Sequence, residues 1–113
     1  MTTYKQPVSV LVVIHTAALE VLLLERAAHR GFWQSVTGSR EGNESMLATA
    51  AREVAEETGL DTRQFELTDW HKTNQYEIFA EWRHRYAPGV TENTEHVFGL
   101  LLPESQPISI SPD

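Results

Sequence analysis

Three glutamates near the middle of the chain have the spacing of a cation site on one helix face. Within the run R-E-V-A-E-E, Glu53, Glu56 and Glu57 stand at positions i, i+3 and i+4. In a helix they therefore share an arc about 100° wide. Each pair repels by roughly 2–3 kcal/mol at about 6 Å and an effective dielectric constant near 20. A hard divalent cation with oxygen ligands offsets such repulsion, although a bare cluster of this kind is more often a solvated acidic face.

The residues around the cluster predict the helix that must carry it. Ser45 is a good N-cap for a helix over residues 46–58, and Gly59 is a natural stop just past its end. The arc opposite the glutamates is predicted to face the core, and it carries Leu47, Ala50, Ala51, Val54 and Thr58. The glycines at 38 and 42 mark an irregular loop before the helix.

The same stretch contains a longer pattern that is specific. Gly38 is followed after five residues by Glu44, and after seven more by R-E-V-A-E-E-T-G-L over residues 52–60. This matches the Nudix box, G-x5-E-x7-R-E-U-x-E-E-x-G-U with U aliphatic, so the chain resembles a Nudix hydrolase. Seven fixed identities at about 6% usage each make a chance match rarer than about one in 10⁸ per start position.

The resemblance implies how the box residues act. It implies that Glu53, Glu56 and Glu57 bind an essential Mg²⁺, for which Mn²⁺ is an expected substitute. Glu57 is predicted to be the strongest ligand, and Glu56 and Glu57 with Arg52 are the predicted catalytic set. Arg52 is implied to hold a box carboxylate in position; the alternative is an ordinary i,i+4 partner of Glu56. Which glutamate is the general base stays open, because coupled carboxylates share their protons.

The likeness narrows to one bacterial branch of that family, the dihydroneopterin triphosphate pyrophosphohydrolases, also labelled dATP pyrophosphohydrolases. It rests on residues 5–14, 32–39 and 84–91. The branch releases pyrophosphate from a triphosphate and leaves the monophosphate, a step in folate biosynthesis. The resemblance implies phosphate contacts from Lys5 and Arg26, for which an ordinary exposed charge is the alternative. Backbone groups of Thr37 and Gly38 are expected to meet the pyrophosphate, and the pterin or base pocket is expected at Tyr76, Glu77, Ile78 and Phe79.

Strand patterns surround the helix. Apolar or β-branched runs predict strands over residues 8–14, 19–24, 34–37, 74–79, 81–86 and 94–102, another strand beginning at 65–67, and a polar loop over 26–31. The predicted fold class is α/β (α+β): a mixed sheet with the box helix packed on it, an α/β/α sandwich that lacks its C-terminal helix if the chain is short. All 113 residues are predicted to form one Nudix domain, truncated at its C-terminal end.

Composition excludes several classes of protein. Without cysteine, neither a disulfide framework nor a zinc thiolate site can form. A formal net charge of −7 argues against binding to nucleic acid polymers, which need a basic surface. The sequence has neither an apolar run of membrane-span length nor a signal-peptide pattern, so a cytoplasmic protein is expected. The resemblance implies that it acts on a small-molecule triphosphate. Its oligomeric state stays open.

Outside the box the signals are weaker. Glu95 and Glu77 are candidates for a further acid, with a solvated surface position as the better single interpretation. The basic run Arg83-His84-Arg85 could meet phosphate, but in a strand its members would face alternate sides. Two other functions compete with the triphosphate pyrophosphohydrolase: a Nudix enzyme for dinucleotides, sugar nucleotides or oxidised nucleotides, and a non-catalytic binding module. The module is the weaker alternative, because such modules typically lose box carboxylates.

Overall fold

A four-stranded mixed sheet with one helix across it forms the framework. The computed structural model describes residues 4–26 and 29–104, with the backbone alone for residues 25, 26 and 29–33. In chain order the elements are β1 (Val8–Thr16), β2 (Leu24–Arg26), β3 (His29–Gln34), β4 (Val36–Ser39), α1 (Met46–Thr58), a 3₁₀ helix (Thr62–Gln64), β5 (Glu66–Glu77), a second 3₁₀ helix (Ala80–Arg85) and β6 (Glu92–Leu102).

The sheet has the order β4-β1-β6-β5. β1 and β6 pair in parallel over the whole of β1, whereas the β1–β4 and β5–β6 pairs are antiparallel. The helix packs on β1 and β4. The predicted mixed sheet with the box helix on it is therefore confirmed. None of the helices in the described part of the chain has the length and apolar character needed to cross a membrane.

The core lies between α1 and one face of the sheet. Alternate residues of β1 and β6 point at the helix, and the largest of these are Val10, Val12, Ile14, Phe98 and Leu100. Burying each such side chain contributes roughly 1.5–3 kcal/mol. The other alternate residues, among them Ser9, Leu11, Asn93 and Val97, lie on the opposite side, which we call the second face.

The predicted bounds of the helix are confirmed, and one core position was wrong. The Ser45 side chain accepts a hydrogen bond from the Ala48 N–H at 3.0 Å, and Gly59 ends the helix with φ of 77°. Leu47 is 52% exposed, whereas Thr49 is fully buried in its place. Thr49 tolerates burial because its hydroxyl is hydrogen-bonded, to the Ser45 carbonyl at 3.0 Å among others.

The predicted strand over residues 19–24 was wrong. β6 pairs with β1 along the whole of one edge, and β4 pairs with the first half of the other edge. Only the end of β1 is left, where the Leu22 N–H donates to the Ile14 carbonyl at 2.9 Å and Val21 bridges His15. The chain enters this short pairing through Leu19, which has φ of 65°.

The predicted polar loop over 26–31 was wrong at residues 26 and 29–31, while residues 27 and 28 lie outside the described residues, and the predicted strand over 34–37 is confirmed except at Ser35. β2 and β3 form an antiparallel pair in which Arg26 is opposite His29. The polarity of these residues indicates exposure to water, but a strand pair needs only two backbone segments that lie side by side and exchange hydrogen bonds. The predicted strand is split at Ser35, which separates β3 from β4.

Two strand predictions after the helix need correction. Residues 65–67 and 74–79 belong largely to one strand, β5, which ends at Glu77, so Ile78 and Phe79 lie beyond it. Residues 81–86 are not a strand, because Ala80–Arg85 is a 3₁₀ helix. Both edges of β6 are already paired with β1 and β5, so the connection between β5 and β6 has no place there. The last strand is confirmed and begins two residues earlier than predicted.

The helix cap gives a first test of the fold. Ser45→Ala removes the acceptor for the Ala48 N–H, so we expect the free energy of unfolding to fall by about 1 kcal/mol. Urea unfolding measures it. Ser45→Thr keeps a capping oxygen and should recover most of the loss. Equal stability of both variants and the parent would contradict the cap assignment.

Candidate functional site

Arg52 is the centre of the acidic cluster. Its Nε and Nη2 donate to the two carboxylate oxygens of Glu44 at 2.8 and 3.0 Å, and its Nη1 contacts Glu53 at 2.6 Å. Nη2 also donates to the Ser39 carbonyl at 2.9 Å. One guanidinium thus ties the helix to the preceding loop and to β4, in the two-pronged geometry at which arginine excels.

Glu44 is fixed as a carboxylate at the start of the helix. Besides Arg52, it accepts from the Glu41 N–H at 2.9 Å and from the Thr49 hydroxyl at 3.2 Å. Hydrogen bonds from Arg52 and from the Glu41 backbone lower the pKa of Glu44 to about 2. The same pairing raises the pKa of Arg52. Glu44 therefore orders the loop instead of offering a free carboxylate.

Glu53 lies against the backbone of β4. Its side chain is 13% exposed, and its carboxylate sits directly over Gly38. A methyl group at residue 38 would overlap that carboxylate, so only glycine allows the helix to approach so closely. The first glycine of the box is thus explained by packing.

Among the acids of the cluster, Glu57 has the most strongly shifted pKa. Burial raises its pKa to about 8, and the hydrogen bond to Glu53 and the negative charges of Glu53 and Glu56 add to the shift. A backbone hydrogen bond from Thr37 opposes it. Glu57 therefore holds a proton near neutral pH, as expected for a buried carboxyl group in contact with a second one.

The cluster lies along the outer edge of β4. The Arg40 N–H donates to the Val8 carbonyl at 2.9 Å, so even-numbered residues of this segment pair with β1. Thr37 and Ser39 then direct their backbone groups outward, where Glu57 and Arg52 meet them. The site is formed where α1 crosses from the sheet face to its free edge.

The donor set fits a hard divalent cation. Glu53 and Glu57 supply adjacent carboxylate oxygens, while Glu56 is more exposed and lies 3.3 Å from Arg52. Across residues 4–26 and 29–104, no group of three acidic or histidine side chains forms a ready cage. Mg²⁺ does not need one, because it is usually held by one or two carboxylates together with substrate phosphates and waters.

The predicted pocket residues are placed differently from one another. Tyr76 is half-exposed on the second face, opposite Asn93, whereas Ile78 is buried. Glu77 is paired with Arg83, and Phe79 is exposed and packs edge-on against Trp82. β5 is separated from β4 by two strands, so these residues do not meet the acidic cluster directly.

The residues predicted to supply positive charge also lie in different parts of the structure. Lys5 lies beside Tyr86, with its ammonium 6.0 Å from the ring centre. Arg26 lies in β2, and its side chain is outside the described residues. Arg83 is engaged by Glu77 and by the Ile78 carbonyl at 2.9 Å. The proposed further acid Glu95 accepts from Asn74 at 3.4 Å.

Sequence reasoning missed one polar residue, Asn93. It is 2% exposed at the beginning of β6 and hydrogen-bonds Ser9 and Tyr76. In N-T-E-H nothing distinguishes an inward-facing asparagine from a solvated one. Its register with Tyr76 would have identified it.

Comparisons with known proteins agree with this geometry. A family model described as NUDIX domain matches residues 5–107. The dihydroneopterin triphosphate diphosphatase of Escherichia coli (strain K12) is 50% identical over 108 residues, which cover 93% of this chain and 72% of that protein. The protein of the same name from Haemophilus influenzae is 44% identical over 101 residues, 87% of this chain and 64% of that protein.

A solved structure extends the likeness to the fold. The structure of the E. coli dihydroneopterin triphosphate pyrophosphohydrolase matches with a TM-score of 0.88 and 48% sequence identity, over 97% of this chain and 77% of that one. The resemblance inferred from the sequence is therefore confirmed.

Gly38→Ala tests the close approach of the helix. The added methyl group must displace the Glu53 carboxylate, so we expect Mg²⁺ affinity, measured by isothermal titration calorimetry, to fall at least tenfold. Gly42→Ala is the matched control: it also strains the backbone, at φ of 54°, but its Cβ meets no other atom. Equal loss of affinity in both variants would contradict the packing argument.

The raised pKa of Glu57 predicts a pH dependence of stability. The pKa of Glu57 is about 8 in the folded chain and near 4.5 when unfolded. Its stabilising contribution is complete below pH 4.5 and is lost as pH rises toward 8. In EDTA the melting temperature should therefore fall between about pH 5 and 8 and level off above that, and it should fall less for Glu57→Gln. Added Mg²⁺ replaces the proton and should stabilise most at high pH. An equal slope for both proteins would exclude the raised pKa of Glu57.

Proposed function

The chain belongs to the NUDIX domain family and is a pyrophosphohydrolase, and from that premise we propose that it hydrolyses a nucleoside or pterin triphosphate to the monophosphate and pyrophosphate, with Mg²⁺ as its cation. Dihydroneopterin triphosphate is the proposed main substrate and dATP a second one, and the reaction would belong to folate biosynthesis. The observation that carries the proposal is the pair of contacting carboxylates, Glu53 and Glu57, at the free edge of β4.

The pair gives this edge the chemistry that phosphoanhydride cleavage needs. Glu53 and Glu57 would hold the cation, with Glu56 as the third predicted ligand. Bound Mg²⁺ neutralises phosphate oxygens and orients the attacking water. Mn²⁺ offers the same oxygen preference and should replace it. Because the chain carries a net charge of −7, this local neutralisation is needed before a polyphosphate can approach.

Each residue of the cluster has a proposed role. Glu57 would hold the cation in its deprotonated form and is the proposed general base, with Glu56 as the alternative. The Thr37 N–H orients the Glu57 carboxylate by a hydrogen bond. Arg52 does not contact the reacting atoms; it fixes Glu53 through a 2.6 Å ion pair and keeps it available to the cation.

The remaining contacts are proposed from the likeness to the E. coli enzyme. Lys5 and Arg26 would bind phosphate oxygens and supply cationic charge beyond the metal. Tyr76, Glu77, Ile78 and Phe79 would line the heterocycle pocket. Of these, Tyr76 has the half-exposed hydroxyl that can reach a ligand on the second face.

A substrate panel tests the reaction. With Mg²⁺, we expect dihydroneopterin triphosphate and dATP to yield one pyrophosphate per monophosphate, and EDTA to stop the reaction. Separate assays for pyrophosphate and orthophosphate distinguish the products. Preferred cleavage of a dinucleoside polyphosphate or an oxidised nucleotide would assign another specificity. Stepwise release of orthophosphate, or turnover in EDTA, would contradict the proposal.

Glu57→Gln tests the proposed base and ligand. Replacing the carboxylate removes both functions while keeping the side-chain shape, so we expect kcat to fall by at least about 10²-fold. Circular dichroism should show an unchanged fold. Glu81→Gln, a neutralised glutamate in the second 3₁₀ helix, is the control and should keep parental activity. A Glu57→Gln enzyme with parental kcat would remove Glu57 from the mechanism.

A further inference from the structure

Asn93 is a buried amide whose hydrogen bonds are incomplete. Its side chain lies on the second face, where Nδ2 donates to the Ser9 Oγ at 2.7 Å and to the Tyr76 Oη at 3.0 Å. Within residues 4–26 and 29–104, Oδ1 is buried without a hydrogen-bond partner. An unsatisfied buried acceptor costs stability, so this asparagine is not explained by the stability of the fold.

Counting hydrogen bonds determines which way the amide faces. In the observed orientation both Nδ2 hydrogens are used and one acceptor is left over. If the amide were rotated, Oδ1 would accept from the two hydroxyls, and both Nδ2 hydrogens would be buried without acceptors. Leaving one acceptor unpaired costs less than leaving two donors unpaired. The observed orientation is therefore the favoured one.

This orientation fixes the role of the tyrosine hydroxyl. Because the Tyr76 oxygen already accepts a hydrogen from Asn93, its own hydrogen is directed elsewhere. Tyr76 is 48% exposed, so a ligand lying on the second face can approach the side chain that carries this hydrogen. Tyr76 is thus held as a hydrogen-bond donor.

The distance between the acidic cluster and Asn93 suits a substrate whose phosphates lie at the cluster and whose heterocycle lies near Asn93. Thr37 is opposite Leu11, Leu11 is opposite Val97, and Asn93 precedes Val97 by four residues. Two strand spacings and a rise of four residues separate Thr37 from Asn93 by roughly 16 Å. An extended nucleoside or pterin triphosphate with its phosphates at β4 brings its heterocycle to this region.

We propose that Asn93 is a positioning residue that sets substrate selectivity, by holding the Tyr76 hydroxyl as a donor to the carbonyl oxygen of a pyrimidinone ring. A pterin has that carbonyl, whereas adenine has an amino group in its place and cannot accept the bond. The inference rests on the proposed triphosphate hydrolysis and adds the residue pair that distinguishes the substrates. Tyr76 contacts the ring, and Asn93 acts through it.

Steady-state kinetics on both substrates test the pair. Tyr76→Phe removes one half-exposed hydroxyl, and Asn93→Leu removes the group that orients it. We expect each to raise KM for dihydroneopterin triphosphate about tenfold, with kcat within about threefold and little change for dATP. In the Tyr76→Phe background, Asn93→Leu should add little. Gln75→Leu, the neighbouring position on the other side of β5, should leave both substrates unchanged.

The alternatives give different results. If Asn93 were only structural, Asn93→Leu would lower the melting temperature and weaken both substrates equally. Unchanged KM in Tyr76→Phe, equal losses for both substrates, or a further tenfold loss in the double variant would each overturn the inference. Should Asn93→Leu fail to fold, Tyr76→Phe alone decides the selectivity claim. Absence of turnover by the parent would instead contradict the proposed function, and calorimetric affinities for the two triphosphates would still report the selectivity.

Discussion

The pairing of Arg52 with the carboxylates around it is the interaction on which the site depends. Four glutamates lie within ion-pair distance of this one guanidinium, in a chain that is already acidic. Because each charge pair at this spacing is worth a few kcal/mol, the helix could not concentrate so many carboxylates without a central cation. The arginine also divides them by role. It holds the pKa of Glu44 near 2, whereas burial and contact with Glu53 raise that of Glu57 to about 8. Glutamate thus serves as a fixed carboxylate at residue 44 and as an acid with an exchangeable proton at residue 57.

The sheet makes this arrangement possible by placing β4 at one of its edges. β1 and β6 are paired on both sides, whereas β4 exposes the outward backbone groups of Thr37 and Ser39 to the helix. Gly38, between them, lets the Glu53 carboxylate rest on the strand. A bulkier residue there would displace the Glu53 carboxylate from the strand. The box spacing therefore encodes a helix-to-strand contact as well as a set of acids.

The sequence predicted those structural features whose determinants lie close together in the chain. Residues 46–58 carry their own cap, stop signal and apolar stripe, so the helix and its acidic face were predictable. Residues 81–86 alternate like a strand but form a 3₁₀ helix, because strand pairing depends on which backbone segments meet in space and not on the local pattern alone. The same reason shortened the strand predicted at 19–24. The contact between Glu53 and Glu57 was foreseeable from spacing, but the burial that sets the pKa of Glu57 was not.

Asn93 shows why the proposed recognition residue was harder to find than the acids of the box. The box acids belong to one helix, so their spacing in sequence reports their spacing in space. Asn93, Ser9 and Tyr76 come from three strands and meet only through register. The two groups also lie at different places on a rigid sheet, with β1 between them. Substitutions on β5 and β6 can therefore change which heterocycle is accepted without disturbing the carboxylates on α1. This separation allows one phosphoanhydride chemistry to serve different substrates across a family that shares the fold.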